Sequence, residues 1–193
     1  MRIKEIEVYK FNELPEDIQE EVIDRFRYYE VEDIDWWEYA LYEFKDRVQK
    51  EYGVEIGDDF NYSLDRDYYI VFNDVHIDKK IFLKALYQEG NLSKRAYNKL
   101  TNRTNIDEFE LAIGSSRYSN FISVHDYSDE KNGRYITDYL YDEIDLDNWF
   151  YDVISKPALK ELEETYDYLI SDEVVADMMN VNDWEFTIDG MLA

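Results

Sequence analysis

No cysteine occurs among the 193 residues, which excludes disulfides, a thiolate nucleophile and a cysteine-type zinc site. Histidine is almost as scarce: His76 and His125 are the only two. Six glycines stand singly and prolines number two, so there is neither a Gly-rich phosphate loop nor a Gly/Ser linker. No apolar run approaches ~18 residues, the length a membrane-crossing helix needs. The opening MRIKEIEVYKF has no apolar h-region and is not expected to be a signal peptide. Positive charge is the last shortage. The 21 Lys and Arg face 46 Asp and Glu, a formal net charge of −25, which argues against direct nucleic-acid binding.

Hydrophobic residues make up 45% and aromatics 17%, which separates the chain from disordered acidic sequences. Its length suits one sizeable core, and with no repeat or linker the expectation is a single α+β domain over 1–193. Charge is unevenly placed. Residues 76–105 hold two acids and seven bases (Lys79, Lys80, Lys84, Lys94, Arg95, Lys99 and Arg103), whereas 1–75 and 138–193 are strongly acidic.

The dominant pattern runs from Asn12 to Ile56. Pro15 suits the first position of a helix, and Ile18, Val22, Phe26 and Tyr29 recur at helical spacing. Asp35 is a cap candidate for a second helix ending at Tyr52 before Gly53, with a stripe of Trp37, Leu41, Phe44, Val48 and Tyr52. Together they read as a helical hairpin with acidic outer faces, packed on a small, mainly antiparallel sheet. Trp37, Phe44, Ile18 and Phe26 are predicted core; Phe26→Ala is expected to cost ~3–5 kcal/mol.

Residues 2–10, Val54–Tyr62, Tyr68–Phe72, Asp107–Ile113, Phe121–Tyr127 and Arg134–Thr137 read as strands, with Asn132–Gly133 as a type I′ turn. Helices are predicted over Ile77–Gln88, stopped by Gly90, and over Ser93–Leu100, capped by Ser93. The C-terminal third is helical again from Asp145, with Pro157 starting or kinking a helix. Ser171 caps another, and 184–192 forms a closing hairpin.

Two groups of residues carry a resemblance. Phe11-Asn12-Glu13-Leu14, the helix with Ile18, Ile23 and Phe26, and Trp36–Trp37 stand at one end. Tyr166-Asp167-Tyr168-Leu169, Ser171-Asp172-Glu173 and Phe186-Thr187-Ile188-Asp189-Gly190 stand at the other. In these stretches, the first ~55 and last ~30 residues, the chain resembles small acidic phage- and plasmid-borne proteins with no assigned activity. The resemblance implies a mobile-element origin and no mechanism.

Two acidic stretches are the candidate partner-binding surfaces. One is 137–152, where Asp138, Asp142, Glu143, Asp145, Asp147 and Asp152 alternate with Tyr139, Tyr141, Trp149 and Tyr151. The other is Glu16, Glu20, Glu21 and Asp24 on the first helix. Carboxylates four apart on a helix stand ~6 Å from one another, near the spacing of successive phosphates, and repel by a few tenths of a kcal/mol. Such a surface can imitate nucleic acid, with tyrosines as anchors. Generic acidity is the bland alternative, though 17 Ile, 19 Tyr and 12 Asn point to AT-rich coding rather than to salt adaptation.

Catalytic chemistry has little to work with. Ser123, His125 and Asp126 lie together, but on a strand Ser123 and His125 stand ~7 Å apart. Asp145-x-Asp147 opens like a calcium loop, yet Phe150 and Lys156 occupy the places of its Gly and Glu. The sequence therefore predicts no enzyme, metal or cofactor. It points instead to an anti-defence inhibitor, similar by class to antirestriction and anti-CRISPR mimics, acting in the host cytoplasm on a nucleic-acid-handling protein. An acidic antitoxin and, more distantly, a metal-dependent hydrolase are the alternatives. A homodimer through the basic 79–103 segment is a further expectation. Converting Asp138, Asp142, Glu143, Asp145 and Asp147 to amides is expected to abolish partner binding and leave the fold intact.

Overall fold

The computed structural model describes residues 6–32, 35–128 and 135–193. In chain order the first elements are β1 (Tyr9–Lys10), α1 (Glu16–Phe26), α2 (Tyr29–Glu32) and α3 (Trp36–Tyr52). The middle holds β2 (Val54–Ile56), β3 (Phe60–Ser63), β4 (Tyr69–Phe72), β5 (Val75–Ile77), α4 (Lys79–Gln88), α5 (Lys94–Leu100), β6 (Phe109–Ser115) and β7 (Asn120–Asp126). Then come α6 (Asp138–Tyr141), α7 (Leu146–Phe150), α8 (Lys156–Leu169), α9 (Asp172–Val181) and β8 (Glu185–Phe186). The class is α+β, with small antiparallel sheets and helices in the C-terminal part.

The sequence reading expects one domain. The residues cluster as two compact units: Met1–Trp37 with Glu163–Ala193, and Glu38–Leu162. In the first, β1 pairs antiparallel with β8, Tyr9 opposite Phe186 and Lys10 opposite Glu185. This pairing joins residues from the two ends of the chain. Its core gathers Phe11, Leu14, Val22, Val175, Met178, Met179 and Phe186, with Ile18, Ile23, Phe26 and Trp184 packed against it. The α1 stripe therefore finds a partner in α9 and β8. Ile18 and Phe26 are half-buried rather than fully enclosed, which moves the Phe26→Ala cost toward the low end of the ~3–5 kcal/mol expected.

Arg27 fastens this unit, donating to the Ile170 carbonyl at 2.9 Å and to Asp172 and Asp24 at 2.6 Å each. Arg25 donates to the Gly190 carbonyl at 2.6 Å. Gly190 has φ +76, and a Cβ there would stand 2.7 Å from Val22 Cγ2. Only glycine allows both that conformation and that approach. The closing turn at the C-terminus is as expected: Thr187 N–H donates to the Met191 carbonyl, and Phe186 bridges Leu192.

Several local readings change here. Pro15 takes the cap position rather than the first helical one. Trp36, not Trp37, is the buried member of the pair, its ring 5.7 Å from Tyr166. Both tryptophans belong to the first unit and the rest of α3 to the second. Ser171 stands at the α9 cap, but its hydroxyl donates back to the Tyr168 carbonyl. The strand expected over 2–10 reduces to Tyr9–Lys10 among the described residues.

In the second unit, Leu41, Phe44 and Val48 of α3 are buried as expected. Gly53 ends the helix at φ +68 with its Cβ direction 2.7 Å from Ile81 Cβ, a close approach that again requires glycine. The expected strand 54–62 breaks at Gly57–Asp59 because its halves pair differently: β2 with β5 and β3 with β4. Asp78 caps α4 by accepting from Lys80 and Ile81 N–H, and Ser93 caps α5 by accepting from Ala96 N–H.

The β6–β7 hairpin pairs seven residues on each side. Buried Asn120 ties it to β4, accepting from Phe72 N–H at 2.9 Å and donating to the Phe72 carbonyl at 2.7 Å. Beyond β7, the Asn132–Gly133 turn lies outside the described residues. Residues 135–137 form no strand and lead into α6 instead. A π turn over Tyr151–Ser155 precedes α8, with Lys156 N–H donating to the Tyr151 carbonyl. Pro157, which has no N–H, follows it, and the irregular turn stands where the regular helical ladder would lack that donor.

Candidate functional site

Asp138, Glu143, Asp145 and Asp147 are occupied by local structure. Glu143 accepts from the Ser93 N–H and, at 2.6 Å, from the Ser93 hydroxyl, binding the start of α5. Asp145 caps α7 by accepting from Asn148 N–H at 3.1 Å and from its side-chain amide at 2.8 Å. Asp147 accepts from Ile122 N–H of β7 at 2.9 Å, and Asp138 accepts from Tyr135 N–H at 2.9 Å. Asp142 and Asp152 are exposed.

The effect of neutralising this cluster on the fold therefore depends on whether an acceptor oxygen remains. These groups hold orphan backbone donors, which mutual repulsion alone does not explain. Alanine at Glu143, Asp145 or Asp147 is expected to lower stability by about 1–2 kcal/mol each. Amides, which keep an acceptor oxygen, should recover most of it. Thermal melts of the paired variants check this, and equal losses for Ala and amide would make charge the operative property.

Asp126 belongs to the same class. Burial pushes its carboxyl up, but hydrogen bonds from the Ser128 and Thr137 hydroxyls and backbone N–H groups outweigh that and hold it below the usual range. It thereby fastens the end of β7 to Thr137 at 2.6 Å. Ser123 and His125 stand opposite Ala112 and Glu110 on β6. Asp145 caps α7 and Asp147 holds the Ile122 N–H of β7, and among the described residues no three of His, Cys, Asp or Glu converge as a metal group. A tyrosine-walled cleft at Tyr68, Tyr69, Tyr118 and Tyr151 has a volume of only about 30 Å³, room for a water rather than a substrate.

The first-helix carboxylates present the opposite picture. Glu16, Glu20, Glu21 and Asp24 are all exposed, as is Asp17. Only Asp24 is ion-paired, with Arg27; Glu16, Asp17, Glu20 and Glu21 have no ion pair among the described residues. The first unit carries 21 acids and five bases, net −16, within 68 residues, against −9 for the 125 of the second. Its described cations are committed inside the unit: Lys10 to Asp183 and Glu185, Arg25 to the Gly190 carbonyl, Arg27 to Asp24 and Asp172. Composition ranked the 138–152 stretch first because it counts carboxylates. It cannot see which backbone N–H groups they meet.

The basic segment is also divided. Lys79 donates to the Phe109 carbonyl and lies 4.5 Å from that ring's centroid, and burial lowers its ammonium pKa. Lys80, Lys84, Lys94, Arg95, Lys99 and Arg103 are exposed. No protein-family model matches the chain, no curated protein aligns with it, and no solved structure matches it.

Proposed function

We propose that the protein is a binding inhibitor, of the anti-defence type carried by phages, that occupies a basic nucleic-acid-binding groove on a host protein. The observation that carries this reading is α1: four exposed carboxylates without an ion pair among the described residues, in rows at helical spacing, on a unit whose described cations are used internally. Rows four residues apart place negative charge every ~6 Å along a rigid rod, close to what a groove built for phosphates receives. Steered association with a cationic groove needs no catalysis.

Full-length protein immobilised and exposed to host lysate is expected to retain a nucleic-acid-handling protein that excess DNA or RNA then releases. Retention that nucleic acid does not disturb would favour the antitoxin reading. Turnover of a phosphate ester that depends on a divalent ion would replace binding with hydrolysis.

A further inference from the structure

The basic face on α4 and α5 is unexpected in a chain of net charge −25. Lys80 and Lys84 stand one turn apart on α4, as do Arg95 and Lys99 on α5. Like charges at that spacing weaken each helix by a few tenths of a kcal/mol. With more than two acids per base in the sequence, none of Lys80, Lys84, Lys94 and Lys99 is ion-paired among the described residues. Tyr87 of α4 stacks on Tyr97 of α5 at 4.6 Å and 14° between planes. Tyr87 lies three residues beyond Lys84 and Tyr97 three beyond Lys94, so the stack stands beside these two lysines, while Arg95 and Lys99 lie on another side of α5. Tyr87 is itself partly exposed, which gives the basic face an aromatic centre.

We infer that this basic face docks the α1 acidic face of a second copy of this chain. Charge complementarity carries the argument. Glu16/Glu20 and Asp17/Glu21 of α1 form rows with the same one-turn period as Lys80/Lys84 and Arg95/Lys99, so two helices can match their charges along their length. Each copy owns both surfaces, so the α1 face of one copy can meet the basic face of another. A nucleic acid would offer only negative charge, and the remainder of the chain would repel it. The contact uses the same α1 carboxylates as the proposed host interface. A second copy therefore covers them until a more basic groove displaces it.

Sedimentation velocity at low and high salt tests this, because Debye screening shortens from ~14 Å near 0.05 M to ~4 Å near 0.5 M. The wild-type protein is expected to be a dimer at low salt and a monomer at high salt. The variant Lys80→Glu/Lys84→Glu/Lys94→Glu/Lys99→Glu should be monomeric at both, with unchanged melting. Mixing it with Glu16→Lys/Asp17→Lys/Glu20→Lys/Glu21→Lys should restore a mixed dimer, since each variant then offers what the other lacks.

A wild-type monomer at both salts overturns the inference, as does a lysine variant that still dimerises. A single-stranded RNA that binds the wild type and not the lysine variant, without self-association, would assign the face to nucleic acid instead. The lysine variant keeps every α1 carboxylate, so its capture of host protein should persist. Loss of dimer with capture intact thus separates this contact from the proposed function.

Discussion

Phe186→Ala is expected to cost about 3–5 kcal/mol, the range for emptying a fully enclosed aromatic site. Phe186 has no exposed surface and sits in β8 opposite Tyr9 of β1. Its ring lies 6.2 Å from Phe26 and 6.5 Å from Trp184, which itself meets Phe26 edge-on at 5.1 Å. One side chain therefore serves α1, the terminal strand and the α9 end of the core. Units of this size bury a smaller fraction of their surface than large domains, so such a loss consumes much of a margin of ~5–15 kcal/mol. Thermal unfolding of the full chain, with the near-ultraviolet signal of Trp184, reads the effect. Glu20→Gln on the exposed side of α1 is the control and should change stability by less than ~0.5 kcal/mol. Similar melting for both would remove Phe186 from the centre of the first unit.

Short-range chemistry was legible in the sequence. Ser93, Gly53 and Gly90 mark helix ends because each acts on backbone groups within four residues of itself. The Leu41–Phe44–Val48 stripe and the β6–β7 hairpin were legible for the same reason. Pairings far apart in the chain were not. Tyr9 meets Phe186, Glu143 meets Ser93 and Asp147 meets Ile122, and no periodicity announces them. The division into two units was hidden too. It falls within α3 and α8, which cross it without the glycine, proline or change of composition by which linkers are recognised.

The acidic candidates show the same divide. Both stretches read alike as strings of Asp and Glu. In one, Glu143 and Asp147 end on backbone N–H groups of neighbouring segments, and in the other Glu16, Asp17, Glu20 and Glu21 end in solvent. A charge count distinguishes neither case. The difference lies in the partner atoms, which only the fold supplies.

Converting Glu16, Asp17, Glu20 and Glu21 to amides is expected to abolish capture of the host protein while leaving the melting temperature unchanged or slightly higher. The stability half follows from placement. All four are exposed and without ion pairs among the described residues, so their removal leaves no buried donor unmet there, and the repulsion within each row disappears. Glu16 and Asp17 also lie in the first turn of α1, where negative charge favours the helix by ~0.3–1 kcal/mol, an effect of opposite sign that limits the gain. The binding half follows from the proposed groove. Each carboxylate facing a Lys or Arg there contributes to steering, and one that becomes desolvated contributes ~2–5 kcal/mol. Four losses should therefore lower affinity by several orders of magnitude and flatten its dependence on salt. The Ala and amide variants at Glu143, Asp145 and Asp147 supply the contrast, since they act on stability and leave α1 intact. If the four-amide protein captures its partner with unchanged affinity and salt slope, α1 is not the interface. If instead only the Glu143, Asp145 and Asp147 amides, still folded, lose capture, the partner is read by 138–152 after all.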